Sequence, residues 1–140
     1  MLDAFALVAL ALDEPAAGEV EALIRRGTCS VSAVNLAEAL DQLGRVHGHT
    51  QEALRAAFGP ILGEAVVVLG VDEPTAWASA ELRRRHHRRR HSELSLADCV
   101  ALATAAAAGA IATADPPLAA AARAEGIDVI ALPDSEGRVP

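Results

Sequence analysis

Asp3, Glu38, Asp98 and Asp115 are the residues whose setting could support chemistry. Asp98 is the most telling. It is the only charge across residues 94–114, in a stretch apolar on every side and therefore expected to be buried. A lone carboxylate there costs several kcal/mol unless it is paired or bound to metal. Ser95 precedes it at capping-box spacing, so the start of a helix could also satisfy it. Asp115 stands before Pro116, the pattern of an N-cap followed by Pro at the first helical position. It also lies just past a strand expected over 110–113, where open α/β sheets bind ligands. Asp3 follows a very short strand and precedes an apolar helix over 4–12, so it too can cap. Glu38 shares a helix stripe with Asn35, Gln42 and Arg45, a stripe that could face solvent.

Read singly, each acid has an ordinary structural role. Gathered in one crevice, four carboxylates repel one another and call for hard cations, and oxygen-only ligation selects Mg²⁺ or Mn²⁺. Such an ion activates water and offsets charge on a phosphate. No Ser/His/Asp or Cys/His arrangement, Walker-type glycine loop or GxGxxG motif competes with this reading.

The charge pattern suits a phosphate-bearing ligand. The net charge is −7, and all twelve basic residues are Arg. Six of them, Arg83, Arg84, Arg85, Arg88, Arg89 and Arg90, fall with three His inside residues 83–91, which contain no acid. The remaining chain is strongly acidic. A concentrated basic stretch beside an acidic centre reads as a polyanion contact, because Arg binds phosphate bidentately. A solvated helix end, or the docking face of an acidic partner protein, fits the same run. Aromatics make up 2%, so base stacking contributes little to recognition.

The elements that must position these residues alternate. Strands are expected over 28–31, 65–71, 110–113 and 127–132, besides the short one before Asp3. Helices are expected over 4–12, 16–26, 32–46, 51–59, from Asp72 toward the arginine run, 95–109 and 115–126. Asp13-Glu14-Pro15 and Asp72-Glu73-Pro74 both read as helix starts. Five short strands separated by helices imply a five-stranded parallel sheet flanked by helices, an α/β fold. The 140 residues suit one domain over 1–140, with a polar tail over 133–140. Cys29 and Cys99 read as buried thiols in a reducing cytoplasm. Residues 1–12 lack the basic region of a signal peptide, and residues 99–114 fall short of a membrane span. A soluble, cytoplasmic protein is expected.

Four segments together resemble a known family. Leu2-Asp3-Ala4-Phe5-Ala6-Leu7 resembles the opening motif of PIN domains, and Ser32-Ala33-Val34-Asn35-Leu36-Ala37-Glu38 the second. Leu94-Ser95-Leu96-Ala97-Asp98 resembles the third, and Ala112-Thr113-Ala114-Asp115 the fourth. The chain is particularly similar to VapC toxins of bacterial toxin–antitoxin pairs. The resemblance implies a three-layer PIN-like fold, a Mg²⁺- or Mn²⁺-dependent endoribonuclease leaving a 5′-phosphate, a homodimer, and inhibition by a VapB-type antitoxin. It puts Asp3, Glu38, Asp98 and Asp115 at the acidic positions, with Asp3 and Asp98 expected as direct ligands and the other two acting partly through water. Thr113 matches the supporting hydroxyl.

One departure stands out. The family often carries Ser or Thr just after the first Asp, where this chain has Ala4 and Phe5; Ser95, Thr113 or Asn35 could take over that hydroxyl's task. A catalytically weak RNA-binding or protein-binding module, and an α/β interaction module whose acids are all caps, are the rival readings.

Overall fold

The computed structural model describes residues 1–27, 29–87 and 93–140. Thr28 of the first long strand, and Arg88, Arg89, Arg90 and His91 of the basic run, lie outside the described residues. Those described form seven helices and four strands: α1 (Ala4–Leu12), α2 (Ala17–Arg26), β1 (Cys29–Ser32), α3 (Ala33–Arg45), α4 (Gln51–Phe58), β2 (Val66–Leu69), α5 (Glu73–His86), α6 (Leu96–Ala108), β3 (Ala110–Thr113), α7 (Pro116–Ala124) and β4 (Asp128–Ala131).

The strands form two parallel pairs. β1 runs beside β2 with Cys29 opposite Val66, and β3 beside β4 with Ala110 opposite Asp128. The expected five-stranded sheet is therefore corrected to four strands. The first strand contracts to a single residue, Leu2, which bridges both Val31 and Ala112. The backbone of Leu2 donates to Ser30 O at 2.7 Å, and Ala112 donates to Met1 O at 2.8 Å. Pairing stops there because Asp3 caps α1 immediately: its side chain accepts from the Ala6 amide. Leu2 is thus the only residue joining the two pairs through strand-type bridges among the described residues.

Local chemistry explains most helix boundaries. Ser32, Thr50, Asp72 and Ser95 each cap a helix through a side-chain oxygen. Gly109 ends α6 at φ 79°, a left-handed conformation that favours glycine. Asp13 corrects an expectation. It does not open α2; it closes α1 at φ 54°, and α2 begins without a side-chain cap.

Successive strand residues point to opposite faces, and this separates two apolar clusters. Ala112 packs with Leu2, Leu7, Val31, Leu43 and Val66. Its neighbour Ile111 packs with Leu82, Leu94, Leu102, Leu118 and Ile127 on the other side. Cys99 is buried as expected, whereas Cys29 is only half-buried. No described helix is long and apolar enough to cross a membrane.

Candidate acidic centre

In a parallel α/β arrangement, each helix that follows a strand begins at the strand's carboxyl end. The N-termini of α1, α3 and α7 therefore follow Leu2, β1 and β3 at one edge of the fold, and their partial positive charge favours carboxylates. Asp3 occupies the N-cap of α1, Asp115 the N-cap of α7, and Asp98 the third position of α6. Glu38 lies in the second turn of α3.

Asp3 is buried at 4% exposure. Its Oδ1 accepts from the Ala6 amide at 2.8 Å. Burial pushes its carboxyl up to about 7, and the charges of Asp98 and Asp115 add to the rise; the Thr113 hydroxyl and the Ala6 amide pull the other way. Asp115 is half-buried and is pushed up to about 6, first by desolvation and then by Asp98. It holds the N-cap position without closing a side-chain capping bond. The Leu118 amide lies near enough only to temper the shift. Glu38 is largely exposed, yet its carboxyl is also raised, by partial desolvation and then by Asp98.

One charge thus reaches all three other acids. Asp98 raises Asp3, Glu38 and Asp115 alike. Asp98 itself completes a capping box: Ser95 N donates to its Oδ2 at 2.7 Å, and its own amide donates to Ser95 Oγ at 3.0 Å. The capping-box expectation for Asp98 is met, and the box engages one carboxylate oxygen, Oδ2.

Two polar residues brace the centre. Asn35 is buried, so the stripe it shares with Glu38 does not face solvent along its whole length. The Ser32 hydroxyl donates to Asn35 Oδ1, and Asn35 Nδ2 donates to Ala97 O at 3.3 Å, which ties α3 to α6. Thr113, fully buried, accepts from the Asp115 amide at 3.0 Å.

The chemistry of the donor set fits a hard divalent cation. All four groups are oxygen donors, and a cation among them relieves the repulsion and desolvation that raise three of them. Among the described residues, however, no three His, Cys, Asp or Glu side chains stand already closed around a metal-sized position.

The basic stretch divides by role. Arg84 pairs with Glu81 at 2.6 Å, and Arg85 places both carboxylate oxygens of Glu125 within 2.7 and 2.9 Å. His86 meets the same Glu125. Sequence reasoning missed Glu125. The Glu81–Arg84 spacing of three was available as a signal, but no local pattern announces a pairing across 40 residues.

The chain is a member of the PIN domain family, whose model matches residues 1–124. PIN domains are generally nucleases. No curated protein matches the chain.

Proposed function

We propose that this PIN domain is a divalent-metal-dependent endoribonuclease and the toxin of a VapBC-type pair. What supports the nuclease reading is the PIN family match over residues 1–124 together with the placement of Asp3, Asp98 and Asp115 in the first turns of α1, α6 and α7. Asp3, Asp98, Glu38 and Asp115 are the residues that would hold Mg²⁺ or Mn²⁺. When bound, the cation supplies Lewis-acid activation of water and neutralises the scissile phosphate.

The chain's own residues do the rest. Asn35 keeps the helix bearing Glu38 against the helix bearing Asp98. Thr113 fixes the Asp115 backbone and stabilises ionised Asp3, the task left open by Ala4 and Phe5. Ser95 orients Asp98. The arginine stretch counters the repulsion between an acidic centre and RNA.

The test is cleavage of labelled RNA in Mg²⁺ or Mn²⁺ against EDTA, with Asp98→Asn as control. Metal-dependent cleavage lost in the folded variant is expected; cleavage that persists in the variant overturns the reading. RNA binding with no cleavage favours the weak binding module instead, a reading motivated by the missing hydroxyl at Ala4-Phe5. For the toxin role, induced expression should arrest growth, and co-expression of a small adjacent reading frame should relieve it. That partner and a second copy of the chain are the proposed protein partners, in a cytoplasmic setting.

A further inference from the structure

We propose that Arg83 is the arginine of the last turn of α5 that grips RNA backbone beside the acidic centre, whereas Arg84 and Arg85 serve the fold. This rests on the ribonuclease reading and assigns its substrate contact to one residue.

The end of α5 lies against the start of α6. Leu82 is buried in one cluster with Leu94, Cys99 and Leu102. His87 Nδ1 meets Leu94 O at 2.9 Å, one residue before the Ser95 cap. The first arginine of the run, Arg83, follows Leu82 at this end of α5 and is exposed.

The three arginines differ in what already occupies them. Arg84 holds both oxygens of Glu81, at 2.6 and 2.9 Å. Arg85 is bound to Glu125, which caps the C-terminus of α7 and also receives His86; this pins α5 to α7. Arg83 is exposed and makes no ion pair among the described residues. Residues 28 and 88–92 contain no carboxylate, so they cannot supply one. Arg83 stands one helical turn before His87, on the same side of α5, and His87 meets the carbonyl of Leu94 just before the Ser95 cap.

A favourable charge at a helix C-terminus explains why arginines collect here, but not why one is left unpaired. A guanidinium with its planar fork of donors free can take a phosphate without first breaking an ion pair. It shares a helix side with His87, which meets the start of the helix that carries Asp98, and there its charge offsets the acids' repulsion of the backbone.

The test is fluorescence anisotropy of a labelled single-stranded RNA in EDTA across a salt series, with the RNA recovered intact. Arg83→Gln is expected to weaken binding about tenfold and to reduce the slope of log K against log salt by about 0.7, one single-strand phosphate contact. Arg84→Gln should stay within about twofold with an unchanged slope, since its partner is an exposed helix neighbour. Equal losses in both variants, or an unchanged slope in Arg83→Gln, overturn the assignment while leaving RNA cleavage by the wild type intact. A wild-type chain that neither binds nor cleaves RNA overturns the ribonuclease reading and the assignment together.

Discussion

Asn35 of α3 donates through Nδ2 to the carbonyl of Ala97 in α6, 62 residues away and one residue before Asp98. The same side chain accepts the Ser32 hydroxyl at the start of its own helix. A single buried amide thus links the helices of Glu38 and Asp98. Asn35→Ala should cost about 1–3 kcal/mol, because it leaves buried partners unsatisfied. Urea unfolding measures this, and cleavage should fall further than the lost folded fraction explains. Full activity in the folded variant would show that the brace does not set the centre.

Asp98→Asn should leave the helix start intact, since Asn still offers an oxygen to the Ser95 amide. It removes the charge common to the raised values of the other acids, so Asp3, Glu38 and Asp115 should all titrate lower. NMR titration of the side-chain carboxyls reads this directly. Cleavage should drop more than about a hundredfold.

The pH dependence of metal-free stability has a definite sign. Asp3 rises from 3.8 to about 7 on folding and Asp115 from 3.8 to about 6. Between those limits the folded chain binds more protons than the unfolded chain. Stability should therefore fall as pH rises through that window and level off above it. Asp3→Asn, which preserves a capping oxygen, should flatten the profile between pH 5 and 8. Added Mg²⁺ or Mn²⁺ should restore stability at the alkaline side, because ligands must shed protons to bind. A wild-type melting temperature that climbs from pH 5 to 8 without metal would contradict this.

Thr113→Val removes the acceptor for the part-buried Asp115 amide and the hydroxyl that favours ionised Asp3. The expected cost is about 1–3 kcal/mol, with Asp3 titrating still higher. Thr113→Ser should recover both; failure of this rescue would point to lost packing of the methyl group instead.

The sequence's alternation of strand and helix was enough to place the seven helices of the described residues, because most of their caps and turn residues act locally. Ser32, Asp72, Ser95 and Gly109 announce their roles within three residues. The first strand was harder. Its extent is decided by how soon Asp3 closes α1, and that leaves one bridging residue where a full strand was expected. Asp13 misled for a similar reason, since Asp before Glu-Pro suits a helix start while the backbone uses it to end α1. At the acidic centre, type and order of the acids were readable. The burial of Asn35 and the clasp of Glu125 on α5 were not, because both depend on which distant elements meet.

The isolated bridge at Leu2 has a consequence for timing. Asp3 is made early, yet its backbone partner Ala112 and its neighbour Asp115 lie more than a hundred residues later. At cellular synthesis rates that interval is roughly 5–20 seconds. Throughout it the growing chain possesses Asp3 without the strand that holds it beside the other acids. If the ribonuclease proposal holds, the acidic centre of such a chain is complete only once residues 112–115 have been made.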